Sequence, residues 1–435
     1  MATVYSAAHF AVSGVAAPLE RPNLGQIEEE AAPLRVFLAS GGSLTSNNPR
    51  QYGPVFMFVM HPLLRVWGGD PERLSHALYA LQLVCVAAAF GFTWMTLAPL
   101  MPVGLTWVAL AALAFLWLNF APLYTILAVK NVETWELALI SVALWAYTSG
   151  RRALAGFAVA AAGLIKLLPF AFLFYFLLRD RRAFAWGCAS VLVLLLVGQA
   201  LYGQQMGLGY LPNVARSAAG NSFAMGWHEN ISLKGMIAKQ IGFLQTTDTS
   251  PIDERQLDPA YQVSLGLGET KYMVTLTRAQ LREVRNIAWA AQACGLLLLT
   301  WACMRGAHGT RNRTVWDWSL VAAMTLILSP QTAFEYCTLA LGAFSYLIVR
   351  WLAAPARSAP RHWLPLAGAI VLIANLLPRQ VMNRVVFVDA ITRWTGYTHL
   401  KPSEAYQYFG FPFVGLVLLV VALSQVSDEP VAVAV

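Results

Sequence analysis

A single lysine interrupts an apolar stretch that arginines close at both ends. Residues 151–182 read RRALAGFAVAAAGLIKLLPFAFLFYFLLRDRR, and Lys166 is the only charge between Arg152 and Arg179. An ionisable group in apolar surroundings costs roughly 2.5–3.5 kcal/mol on an insertion scale, so Lys166 must meet water, an anion or a partner charge. A cation so placed suits chemistry on an anionic lipid. Other reactive types gather elsewhere. Glu28, Glu29 and Glu30 precede AAPLRVFLASGG, and His228, Glu229, Asn230, Ser232 and Lys234 crowd into HENISLK. Glu335 opens a late apolar span, where an unpaired charge is costly. A carboxylate of this kind takes the proton of an attacking hydroxyl, and lysine, histidine or asparagine holds a phosphate or a sugar.

Each group also has a plain structural alternative. Lys166 ends a helix and snorkels, Glu28–Glu30 form a solvated acidic helix start, Glu229 is a surface glutamate, and Glu335 pairs with a structural cation. The chain has no GxGxxG, Walker loop, HExxH, CxxC or Asp-x-Asp pair, so nucleotide-dependent soluble mechanisms and metal sites of those types have no support. No cofactor and no metal is expected.

Composition sets the class of element that must position these groups. Hydrophobic residues make up 58% of the chain, charged residues 12%, and mean hydropathy is +0.55. Soluble globules of this size do not read that way. A bilayer core of about 30 Å asks for about 20 apolar residues per helix. Such spans recur at 73–97, 102–120, 132–149, 184–202, 285–303, 315–330, 333–350, 363–378 and 409–425. The expected fold is an all-α polytopic membrane protein.

The net charge of +8 belongs to arginines between spans rather than to a nucleic-acid face, and the positive-inside rule places them in the cytoplasm. Arg151 and Arg152, Arg179 to Arg182, Arg305 to Arg313, and Arg357 with Arg361 mark four such loops. Residues 152–178 must then enter and leave on one side, as a re-entrant hairpin of two half-helices meeting near Lys166 and Pro169. One tilted, proline-kinked helix is the alternative.

Four regions follow from that parity. Residues 1–72 form an external N-terminal segment with an interfacial helix in GPVFMFVMHPLLRVWGG, residues 73–202 a membrane bundle containing the hairpin, 203–284 an external loop or cap, and 285–435 the C-terminal membrane helices. A short re-entrant helix is the other reading of the interfacial segment. Residues 1–20 lack a positive leader and a sustained apolar core, so either a first helix lies upstream of Met1 or the segment crosses unusually. Within the cap, 203–244 reads as a site wall and 245–284 as a lid, with a solvated linker the alternative for 245–265. All five cysteines fall in or beside apolar spans, so no structural disulfide is expected.

The segments YGPVF at 52–56, ALAGFAVAAAGLIKLLPFAFLFYFLLRDRR at 153–182, ENISLKG at 229–235 and LILSPQTAFEYCTLAL at 326–341 resemble, in order and approximate spacing, the motifs of glycosyltransferase family 87. Four departures stand out. Gly53 replaces a usual proline, Ile231 a glutamine, and Glu335 a frequent histidine; Lys130-Asn131-Val132-Glu133 takes the place of a Gly-Gln-x-Asn element. The resemblance implies a GT-C-like bundle of about 9–11 membrane helices and half-helices in the cell membrane, with its active site on the external or periplasmic face. It implies inverting, metal-independent transfer of a sugar, mannose or a pentose, from a polyprenyl-phosphate donor to a hydroxyl of a lipid or glycan acceptor. The base it implies is an aspartate in the first external segment. Glu28, Glu29 and Glu30 hold that offset from Gly41, with Glu335 and Glu229 competing. Lys166, at the family's lysine, is expected on the donor phosphate, aided by His228, Glu229, Asn230, Lys234 and Tyr52. Two other readings stay open: a transporter or flippase of lipid-linked sugars with Lys166 and Glu133 lining its pathway, and a degenerate relative that only binds such lipids.

Overall fold

The computed structural model describes residues 52–67, 71–212, 230–245, 278–305, 309–330, 332–354, 363–374 and 410–426. Every regular element among the described residues is helical, and the chain is an all-α polytopic membrane protein. In chain order the helices are α1 (Pro54–Trp67), α2 (Pro71–Leu97), α3 (Thr106–Leu118), α4 (Ala121–Val129), α5 (Glu133–Thr148), α6 (Arg152–Gly163), α7 (Ala171–Arg179), α8 (Arg181–Tyr202) and α9 (Leu233–Gln245). They continue as α10 (Arg278–Arg305), α11 (Arg311–Leu328), α12 (Leu341–Leu352), α13 (Trp363–Ala369) and α14 (Phe411–Ser424).

Long and short helices divide the work. Glu72–Leu100, Arg181–Tyr202 and Arg282–Arg305 are long and apolar enough to cross a membrane, and α3 with α4 supplies a fourth span if that pair, bent by 48°, is counted as one. Only 17–22% of each long span is buried. Their exposed Leu83, Val84, Trp186, Leu192, Trp289 and Leu297 form the apolar outer surface that lipid requires. Inside lie shorter helices. α5 is buried almost all round, from Glu133 to Ala146, as is α11, the mark of central elements.

The sequence expectation of single spans at 315–330 and 333–350 resolves differently. α11 begins earlier and carries Arg311, Arg313 and Asp317, and a 3₁₀ segment, Phe334–Ala340, precedes α12. Summed hydropathy runs across such a break because 3₁₀ turns use the same apolar residues.

α6 owes its place to small side chains. Ala155, Gly156, Ala158 and Ala160 to Gly163 are buried, which lets it pack between α5 and α8. A Cβ on Gly156 would lie 2.6 Å from the Gly187 nitrogen and 2.7 Å from the Ala183 oxygen. After α6 the chain turns through Leu164–Leu167 and a 3₁₀ turn at Leu168–Phe170, and α7 returns so that Arg152 meets Asp180 at 2.5 Å. The ring of Phe170 fills the space a Gly163 side chain would take. All five cysteines are free thiols. Gly156→Val should force α6 from α8 and lower stability by about 1–3 kcal/mol, read as an earlier thermal melt in detergent; an unchanged melt would contradict this packing.

Candidate functional site

The break after α6 places Lys166 beside the first turn of α5. The backbone N–H groups of Leu164, Ile165 and Lys166 still bond to Ala160, Ala161 and Ala162, while the Ile165 carbonyl accepts the Gly53 N–H at 3.1 Å. Lys166 Nζ donates to Glu133 Oε1 at 2.5 Å and to the Tyr336 hydroxyl at 2.8 Å, and lies 4.3 Å from the Tyr336 ring centroid. Lys166 is 9% exposed, Glu133 0% and Glu136, which also acts electrostatically on Lys166, 1%. The partner that relieves the lysine is therefore the Glu133 carboxylate, with the charge of Glu136 acting from farther off. An ammonium has three donors, so one N–H of Lys166 is left for another acceptor.

Asn131 fixes the start of α5. Lys130 closes α4 in the left-handed region, φ 54°, and turns the chain so that the Asn131 carbonyl accepts from Gln82 Nε2 at 2.5 Å. The Asn131 side-chain oxygen accepts from the Tyr52 hydroxyl at 3.1 Å and from the Val132 N–H at 3.0 Å. Tyr52 stacks on Phe56, and Lys166 Nζ lies 5.7 Å from the Tyr52 ring centroid. Among the described residues, Glu133 Oε2, Glu136 Oε1 and Gln82 Oε1 are buried without hydrogen-bond partners. Such acceptors are costly alone and match a ligand rich in hydroxyl donors.

Two further motifs are stitched together next to this cluster. The Asn230 side-chain oxygen accepts from the N–H groups of Ser232, 3.0 Å, and Thr332, 3.1 Å, while the Ile231 N–H donates to the Thr332 carbonyl at 2.7 Å. Ser232 Oγ accepts from the Gly235 N–H at 3.1 Å and so caps α9. This fixes the strand of chain that leads from Thr332 to Tyr336. Glu335 is half-buried in the same 3₁₀ segment as Tyr336. Lys234, in the first turn of α9, is buried; burial first and then the charge of Arg285 hold its ammonium below the ordinary lysine range.

Tyr52, Lys166 and Asn230 thus converge on one end of the bundle, with Glu335 beside Tyr336, whereas Lys234 looks toward α10. Glu28, Glu29, Glu30, His228 and Glu229 lie outside the described residues. Sequence reasoning named Glu133 only for a transport pathway and did not single out Tyr336, Asn131, Gln82 or Glu136. Their signal was present: Tyr336 lies within a quoted motif, and two glutamates stand in the first turn of an apolar span.

The departures from the motif pattern have structural reasons. A proline at 53 would lack the N–H given to Ile165, and any Cβ there would fall 2.0 Å from the Leu164 oxygen. Ile231 is fully buried in the main apolar core, where a glutamine amide would need partners.

The model of glycosyltransferase family 87 matches residues 51–330, more than half of the 435-residue chain. No curated protein matches it. Asn230→Ala should leave the buried Ser232 and Thr332 N–H groups unpaired and cost about 1–3 kcal/mol for each. A thermal melt checks this, and a melt equal to wild type would remove the clamp from the account.

Proposed function

The chain belongs to glycosyltransferase family 87, and on that premise we propose a GT-C enzyme that moves mannose or a pentose from a polyprenyl phosphate to an acceptor hydroxyl. The acceptor oxygen attacks the sugar's anomeric carbon, the bond to the phosphate oxygen breaks, and polyprenyl phosphate leaves with the electron pair. The hydroxyl proton passes to a carboxylate. One of Glu28, Glu29 and Glu30 is the first choice for that base, with Glu335 its competitor. A single displacement of this kind inverts the sugar carbon. The reaction takes place at the external face of the cell membrane, since the arginine-rich end of the bundle belongs in the cytoplasm by the positive-inside rule.

The observation that carries this reading is one buried ammonium that keeps a spare N–H, bonded to Glu133 and Tyr336 and close to the Tyr52 ring, with the Asn230 clamp holding the segment that delivers Tyr336. That N–H is the contact for the donor phosphate. Lys166 cannot act alone, because a phosphate would add negative charge where Glu133 already takes the one cation and Glu136 lies nearby. The further positive charge falls to His228, and Glu229 and Tyr52 line the donor site, with Asn230 spent on the backbone clamp beside it and Lys234 turned toward α10. The unpartnered oxygens of Glu133, Glu136 and Gln82 suit the hydroxyl donors of a sugar.

The test is transfer of label from radioactive polyprenyl-phosphate mannose, then from a pentose donor, to a product in a membrane lipid extract. Removing Lys166 alone strands Glu133 at a cost of about 3–5 kcal/mol, whereas replacing both by apolar residues is often neutral. Lys166→Met with Glu133→Leu should therefore keep its melting temperature and lose transfer by about 100-fold or more. A folded double variant with wild-type transfer would reduce the pair to a structural role and move the phosphate elsewhere.

A further inference from the structure

We propose that the opposite end of the bundle holds a second anion site, which binds the phosphomonoester headgroup of a membrane lipid. The first turn of α5 carries Glu133 and its last turn Thr148, about 22 Å apart at the helical rise. At the Thr148 end lies a cavity of about 260 Å³ that includes Arg152, Arg179, Arg311, Arg313, Asp180 and Asp317 in its wall. Among the described residues of the wall, four guanidiniums stand against two carboxylates, a formal surplus of two positive charges.

Both carboxylates are already committed. Asp180 takes Arg152 on one oxygen and, on the other, the N–H groups of Arg182 and Ala183 that begin α8. Asp317 is shared by Arg179 Nη2 at 2.9 Å and Arg313 Nε at 3.0 Å. Among the described residues Arg311 forms no ion pair, and its Nη2 donates to the Thr148 carbonyl at 3.4 Å. A network built for stability alone would balance its charges, because half-enclosed surplus cations repel one another. Three helices, α6, α8 and α11, also begin here at Arg152, Arg181 and Arg311, and their positive dipole ends add to the field.

A dianion matches the surplus, and the guanidinium fork matches phosphate oxygens. The surroundings point to a lipid source. Arg151 stacks over Trp145 at 4.8 Å and Arg305 over Trp301 at 4.6 Å, the pairing of aromatic and cation found at headgroup depth. The apolar outer face of α8, with exposed Trp186, starts at the same end.

The full chain in neutral detergent is titrated with phosphatidic acid, with phosphatidylcholine as control, and with inorganic phosphate, reading melting temperature and native mass. Phosphatidic acid should raise the melt and remain bound where phosphatidylcholine does neither, and Arg311→Gln should bind it about tenfold more weakly. Where Arg311→Gln fails to fold, Arg311→Lys, which keeps the charge and loses the fork, should bind measurably more weakly than wild type. An equal response to inorganic phosphate, with no gain from the lipid, would overturn the lipid source and leave a soluble phosphate site. No response to either, or binding undiminished in both arginine variants, would overturn the site altogether.

Discussion

The Lys166–Glu133 pair is the contact around which the rest of the structure is arranged. An ammonium within an apolar hairpin is tolerable only where a helix breaks and a counter-charge arrives. The break after α6 supplies the space, Gly53 accepts the close backbone, Asn131 sets the first turn of α5 so that Glu133 meets the amine, and the 3₁₀ segment before α12 delivers Tyr336. Chain segments far apart in sequence are held at one place because that place is electrostatically expensive. The Asn230 clamp extends the same logic, spending one side-chain oxygen on two backbone N–H groups of separate segments.

The two ends of the bundle have opposite electrostatic character. One gathers Glu133 and Glu136 around a single lysine; the other gathers four arginines around two aspartates. α5 and α11 run between them, buried on nearly all sides, so neither end reaches the other through solvent-exposed side chains of these helices. The polarity separates a cluster of buried carboxylates from a cavity walled by guanidiniums.

Much of this was legible in the sequence, for identifiable reasons. Composition with recurring apolar spans of about 20 residues pointed to an all-helical membrane class, and four short motifs in order identified the family that residues 51–330 match. Lys166 announced itself because charge is rare in apolar sequence. Its partners did not. Glu133 lies 33 residues away and Tyr336 170, and a glutamate opening a helix has an ordinary explanation in the helix dipole. Gly53 looked like a decayed motif position, yet only the backbone of Leu164 and Ile165 explains it. Helix lengths were overestimated where 3₁₀ turns interrupt apolar runs, since hydropathy counts side chains and is blind to backbone breaks.

The most direct measurement is a structure of the protein bound to a non-transferable polyprenyl-phosphate sugar. The account predicts a phosphate oxygen at hydrogen-bond distance, about 3 Å, from Lys166 Nζ, with the sugar against Glu133, Glu136 and Gln82. A donor phosphate seated instead among the arginines at the far end of α5, or near the hairpin with Lys166 still bonded only to Glu133 and Tyr336, would contradict it.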